Sequence, residues 1–293
     1  MYLLPRPQEM LLQDNVFYVD YTAEICIDPE ASPEWLHYAS LLQKEIEQDT
    51  GFHLNINRNL PVFQTPSILL KSTSGHSQQE YTLRIRESGI LLTASSNSGM
   101  LYAIQTLRQI IRQEGACLPG LDIHDFPVIS NRGLYYDVTR GRIPTLSYLK
   151  KMADTLSFYK INQLHLYIEH TYMFRNLSEV WRDDTPLTSS DILELDRYCA
   201  DLGIELVPSI ASFGHLYKIL RTKSFRHLCE REDLCEEPFG FIDRMEHHTI
   251  DVSNEESFSF IWSLIEEYLP LFRSDKFNIC GDETFDLGTG KSH

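Results

Sequence analysis

Long apolar runs are missing from this 293-residue chain. No stretch of ~18 apolar residues occurs, so nothing in it reads as a transmembrane helix, and the opening MYLLPRPQEM lacks the basic region and apolar core of a signal peptide. Cysteine is sparse: Cys26, Cys117, Cys199, Cys229, Cys235 and Cys280 form no C-x-x-C, which argues against a disulfide framework or a structural zinc site. Reduced thiols and a soluble, cytoplasmic protein are the expectation. Positive charge is also short, with 26 Lys and Arg against 42 Asp and Glu and a net charge of −16. Such a field repels polyanions, so nucleic acid is not an expected partner, nor is a membrane. Internal repeats, biased segments and an acidic tail are absent. What remains is a globular composition, 42% hydrophobic and 23% charged, long enough for two domains.

The first half mixes helices and strands at short spacing. Ser32 as N-cap, Pro33 at the first helical position and Gly51 as a stop predict a helix to Thr50, with Trp35, Leu36, Ala39, Leu42 and Ile46 on its apolar stripe. Ser67–Leu70 reads as a buried strand, Tyr81–Ile85 and Ile90–Thr93 as a hairpin, and Gly99–Glu114 as a helix. This predicts a small α+β domain over 1–125, with Pro119–Pro127 as a linker.

Beyond Arg132 the rhythm becomes strand, helix, strand. Leu134–Val138, Ile161–Ile168, Ile204–Ile210 and Phe277–Cys280 read as strands, and helices start at Thr145, Asp191 and Ser253, the last with Ser253 and Glu256 as a capping box that buries Phe258, Ile261, Trp262, Ile265 and Tyr268. Four such alternations favour a parallel sheet, either doubly wound or a (β/α)₈ barrel, and periodicity does not choose between them. Only 13 residues follow the fourth strand, 281–293, too few for eight strands in this sequence.

Chemistry-bearing residues collect at strand exits. Gly281-Asp282-Glu283 puts two carboxylates at the C-terminal rim of a parallel sheet, where such folds build active sites; the bland alternative is a solvated acidic loop. Alternation along a strand points neighbours apart, so both carboxylates reach one pocket only where the strand breaks, and Gly281 permits a break. Arg132 enters the first strand, and Asp137 and Arg140 leave it; by themselves they read as an ion pair. His215, in Ser212-Phe213-Gly214-His215, is an acid, base or carboxylate partner, or a structural histidine. Three motifs fail. Gly288–Ser292 resembles a phosphate loop but has Phe285 where glycine is required, His165–His170 is one residue too long for H-x-x-E-H, and His247-His248 has no further ligand at metal spacing. No metal or cofactor is expected.

Together these residues resemble family 20 glycoside hydrolases, the β-N-acetylhexosaminidases. The likeness rests on Gly281-Asp282-Glu283 after a short apolar strand, Arg132-Gly133 with Asp137-x-x-Arg140, Asp125-Phe126-Pro127 at the junction, and Tyr81–Ile85 with Ser98–Gln109 in the first half. It implies a (β/α)₈ TIM-barrel-type catalytic domain, with strands one to four in residues 126–293, behind a smaller α+β domain in 1–125. It also implies exo-hydrolysis of terminal β-linked N-acetylglucosamine or N-acetylgalactosamine from an oligosaccharide or glycoconjugate. Glu283 would be the general acid and then base. Asp282 would orient the substrate's 2-acetamido group, which acts as nucleophile with retention of configuration. Arg132 would bind sugar hydroxyls, His215 would link to acidic partners, Glu169 is the candidate for such a partner, and Asp137 belongs to the same rim.

The sequence departs from the family where Leu166-Tyr167-Ile168-Glu169-His170 replaces the usual His-Leu-Thr-Asp-Asp stretch, and where Cys280 replaces a glycine. The expectation is a truncated copy whose open half-barrel can self-associate. Two competing readings stand beside hydrolysis: an inactive carbohydrate-binding or structural remnant, and a metal-assisted barrel hydrolase.

Overall fold

The computed structural model describes residues 1–61, 66–240 and 242–293. Contacts divide the chain into two compact units, Met1–Arg132 with Thr155–Ile161, and Gly133–Asp154 with Asn162–His293.

The first unit is a seven-stranded sheet with two helices. In chain order it contains β1 (Glu9–Tyr18), β2 (Glu24–Ile27), α1 (Trp35–Thr50), β3 (Asn55–Asn57), β4 (Ser67–Ser72), β5 (Tyr81–Arg86), β6 (Gly89–Ala94), α2 (Asn97–Glu114) and β7 (Cys117–Asp125). The sheet order is β1-β7-β5-β6-β4-β2-β3, antiparallel from β1 to β6 and parallel from β6 to β3. Strict alternation in β5 and β6 buries Tyr81, Leu83, Ile85, Ile90 and Leu92 on one face, with Leu42 and Ile46 of α1 and Ile104 and Leu107 of α2 in the same core. Glu45 is buried in that core, and Arg108 at 2.7 Å and Arg112 neutralise it.

Two expectations change here. Helix α1 begins at Trp35, because the amides of Trp35, Leu36 and His37 bond to the carbonyls three residues back and form a tight turn before the helix, so Ser32 is not its cap. Residues 119–127 are largely strand, not linker: β7 pairs with β1 and β5, and Pro119 is tolerated beside the irregularity between Leu12 and Val16 of β1.

The second unit holds three parallel strands, β8 (Gly133–Asp137), β9 (Gln163–Ile168) and β10 (Glu205–Ile210), in the order β10-β9-β8. Between and after them come α3 (Leu146–Phe158), α4 (Ser178–Trp181), α5 (Ser189–Asp201), α6 (Tyr217–Leu220) and α7 (Glu255–Tyr268). The register aligns Asp137, Tyr167 and Ser209 in one row, so the three strands end along one edge. Phe277–Cys280 is not a fourth strand. Asn278 alone bridges Ser209, exchanging bonds of 3.0 Å to the Pro208 carbonyl and 3.1 Å from the Ile210 amide, and the left-handed Cys280 (φ 46°) then turns the chain away. The cap of α7 is Asn254, whose side chain accepts from the Glu256 amide, while Ser253 bonds to Asp251. The buried stripe of α7 is Ser257, Phe260, Leu264 and Tyr268, and Phe258 and Trp262, expected inside, are 68% and 50% exposed.

Gly89 begins β6 at φ 153°, and a Cβ there would stand 2.7 Å from the Ser67 carbonyl oxygen of β4. Gly89→Ala is expected to cost about 2 kcal/mol in urea unfolding. A change within about 0.5 kcal/mol, the range of neutral surface substitutions, would contradict this packing.

Candidate active site

The residues past the ends of β8, β9 and β10 meet the segment after Asn278. At the exit of β8, Asp137 Oδ1 accepts the amides of Thr139 and Arg140, both at 2.9 Å, and Oδ2 accepts from Arg140 Nε at 2.5 Å. A short strand-end aspartate thereby folds the chain back and holds the guanidinium, which lies 5.0 Å from the Tyr167 ring centroid. At the exit of β9, Glu169 is buried: its amide donates to Thr139 Oγ1 at 3.1 Å, and Tyr167 donates its hydroxyl to Glu169 Oε1 at 2.9 Å. Burial pushes the Glu169 carboxyl up to about 7, against the Tyr167 bond and Arg140, which favour its charged form. Burial pulls the neighbouring His170 down to about 4, helped by Lys218.

Past β10, His215 carries the central contact. Its Nε2 stands 3.2 Å from Glu283 Oε2 and 3.5 Å from Asp282 Oδ2, and the Tyr167 ring packs edge-on at 6.2 Å. Two left-handed residues, His215 (φ 59°) and Glu283 (φ 51°), make the approach possible. Gly214 lets the two segments touch, since a Cβ there would stand 3.1 Å from the Asp282 carbonyl oxygen and 3.2 Å from that of Glu283. The chain reversal that brings both carboxylates to one histidine lies at Cys280 and Glu283, and Gly281 has no left-handed φ. Asn278 Oδ1 supports it by accepting the Cys280 amide at 3.0 Å, and Ser212 donates to the Ile279 carbonyl.

Beside this contact opens a cavity of about 270 Å³ whose lining includes Arg140, Glu169, His170, His215, Tyr217 and Arg244. Glu169 and His215 thus share a cavity, and Asp137 reaches it through Arg140. Glu169 is not bonded to His215; Tyr167 stands between them, donating to one and packing on the other.

Arg132 is a correction. It precedes β8, at the end away from the strand exits, and its guanidinium donates to the Lys160, Ile129 and Ser130 carbonyls, Gln79 Oε1 and the Tyr102 hydroxyl. Those bonds occupy it within the first unit. Arg140, read in sequence as a simple partner of Asp137, is that partner and also lines the cavity. Tyr167, Tyr217 and Arg244 were missed because an aromatic residue on a strand or an arginine in a loop carries no spacing signal. Among the described residues, His215, Asp282 and Glu283 are the one group of three whose donor atoms, all within 4.8 Å, suit a cation.

The family model for glycosyl hydrolase family 20, domain 2, matches residues 1–126, and that for the family 20 catalytic domain matches residues 130–292. The chain belongs to glycosyl hydrolase family 20. A β-hexosaminidase of Porphyromonas gingivalis is 25% identical over 311 residues, covering 96% of this chain and 38% of that protein. One of Akkermansia muciniphila is 28% identical over 217 residues, 66% of this chain and 39% of its own length. The chain therefore spans about two-fifths of the length of these curated relatives. The Streptomyces plicatus N-acetyl-β-hexosaminidase, solved with thio-NAglucal, superposes with a TM-score of 0.82 at 21% identity over 98% of this chain and 60% of that one. This likeness shows the fold: an α/β domain followed by the opening strand–helix units of a barrel-type catalytic domain.

The raised Glu169 carboxyl makes a pH prediction. A carboxyl whose folded value lies above its ordinary 4.5 holds more protons folded than unfolded, so its contribution to stability falls as pH rises from about 4.5 to about 7. His170 acts oppositely between about 4 and 6.5, so the difference between Glu169→Gln and the parent isolates the effect. The variant's relative stability should rise across pH 4.5–7 by roughly 3 kcal/mol and then level off. A difference independent of pH would contradict a buried, proton-retaining Glu169.

Proposed function

We propose that the protein is an exo-acting β-N-acetylhexosaminidase that uses its substrate's own acetamido group as nucleophile. The observation that carries this reading is the convergence of Glu283 and Asp282 on His215 Nε2 beside a cavity, in a chain matched by the family 20 catalytic domain. Glu283 protonates the glycosidic oxygen as the bond to C1 breaks. The acetamido carbonyl oxygen bonds to C1 from the other face, and Asp282 orients that group and balances the charge developing on it. Water, deprotonated by Glu283, then opens the resulting oxazolinium ring, so the product keeps its configuration.

His215 holds the two carboxylates in register, and Arg140, Glu169 and, through Arg140, Asp137 supply donors and acceptors for sugar hydroxyls. Terminal N-acetylglucosamine or N-acetylgalactosamine is the substrate this scheme requires. A reducing, cytoplasmic setting belongs to the same proposal, supported by six free thiols, as does self-association, supported by the stacked, solvent-facing Phe258 and Trp262 rings.

In the full-length protein, an aryl N-acetyl-β-glucosaminide should be cleaved and the matching glucoside should not; equal rates would contradict substrate assistance. Glu283→Gln should lower turnover of substrates with poor leaving groups by about 10²–10⁴-fold, the range of general acid catalysis. Unchanged turnover would remove Glu283 from the acid role.

A second reading draws on the same three donors: a cation on His215, Asp282 and Glu283 would polarise the substrate instead. A chelator separates the two. Full activity in its presence is the outcome the acid–base scheme requires, and loss restored by a divalent metal supports the cation.

A further inference from the structure

The cavity beside the acid pair is basic, although the chain as a whole carries a net charge of −16. Its lining holds four cationic side chains, Arg140, Arg142, Lys218 and Arg244, against two carboxylates, Glu169 and Asp184. Two of the four are neutralised: Arg140 by Asp137 and Lys218 by Asp184. Arg142 and Arg244 pair with no carboxylate among the described residues. Each instead lies against an aromatic ring, Arg142 5.5 Å from the Tyr148 centroid and Arg244 3.9 Å from that of Tyr217. Arg244 donates through Nε to the Phe239 carbonyl at 3.3 Å.

These ring contacts position the guanidinium groups and leave N–H donors for a ligand. The remaining acidic lining does not cancel them, because Glu169 retains its proton up to about pH 7. Neutral sugar hydroxyls do not require two uncompensated guanidinium groups. A tetrahedral oxyanion makes use of both, since each planar fork matches two of its oxygens.

Building on the proposed glycosidase function, we infer that this cavity accepts an N-acetylhexosamine carrying an anionic ester, sulfate or phosphate, held by Arg142 and Arg244. The acid pair then acts on an anionic terminal sugar in preference to the neutral one. The positive cavity set in an acidic surface also focuses the field on the one place where such a substrate can enter productively.

The test is calorimetric titration of the full-length protein at low ionic strength with N-acetylglucosamine, its 6-sulfate and its 6-phosphate. At least one ester should bind roughly tenfold or more tightly than the parent sugar, as charge-assisted hydrogen bonds require. The preference should shrink as salt is raised and collapse in the Arg142→Gln/Arg244→Gln double variant, while the Arg142→Lys/Arg244→Lys variant keeps part of it. Both arginines are exposed, and circular dichroism and thermal melting check that the variants remain folded. Which ester wins identifies the anion.

Equal affinity for all three sugars overturns the inference and leaves the glycosidase reading standing. So does an ester preference that survives in the double glutamine variant, or inorganic sulfate competing as well as the sulfated sugar. Failure to bind any of the three sugars overturns the inference together with the sugar site on which it rests.

Discussion

The candidate site depends on one close approach, the contact of Gly214-His215 with Asp282-Glu283. Parallel strands deliver side chains to a common edge, but adjacent residues on an extended chain point apart. Bringing two neighbouring carboxylates to one imidazole nitrogen therefore requires backbone that is not extended. The protein supplies it with left-handed conformations at His215, Cys280 and Glu283, none of them glycine. Each costs on the order of 1–3 kcal/mol, and such strain persists where the surroundings over-determine the geometry. Here the surroundings are the Asn278 bridge to β10, the Ser212 bond to Ile279, the Asn278 side chain on the Cys280 amide and the Leu216 amide on the His248 carbonyl. Gly214 supplies room rather than an unusual backbone angle, since a Cβ would press on the carbonyls of both acidic residues.

Around that contact the protein sets charge by burial. Glu169 and His170 are neighbours, yet burial drives them in opposite directions, the carboxyl towards neutrality at pH 7 and the imidazole away from protonation. The cavity is thus lined by side chains that lean neutral and by arginines that cannot discharge, which makes it positive inside an acidic chain. Tyr167 joins the two halves of the arrangement: its hydroxyl holds Glu169 while its ring packs on His215 and under Arg140.

Part of this was legible in the sequence, for identifiable reasons. β9, β10, α2 and α5 carry clean periodicity and clear stops, and His215 lies past the exit of β10, where Asp282 and Glu283 meet it from the segment that follows the Asn278 bridge. The misreadings have equally local causes. A proline and a glycine disguised β7 as a linker, although Pro119 sits beside an irregularity in its neighbour. In α7 two apolar faces compete in the sequence, and packing buries Phe260, Leu264 and Tyr268 and leaves Phe258 and Trp262 outside. The family resemblance assigns Arg132 to sugar hydroxyls, but the residue precedes β8, at the end away from the strand exits, and its guanidinium bonds to groups of the first unit. Which end of a strand a residue occupies is decided by topology, and of the two arginines it is Arg140 that lines the cavity. The roles of Tyr167, Arg142 and Arg244 follow from three-dimensional stacking that leaves no trace in spacing.

The central claim is that Asp282 and Glu283 serve a nucleophile belonging to the substrate. Inhibition by a sugar whose acetamido group is already fused to C1 as a thiazoline tests it most directly, because such a compound mimics the bicyclic intermediate. The account predicts competitive inhibition of the full-length protein at concentrations at least about 10²-fold below those needed for N-acetylglucosamine, with most of the advantage lost in Asp282→Asn. Inhibition no stronger than by N-acetylglucosamine itself would contradict it.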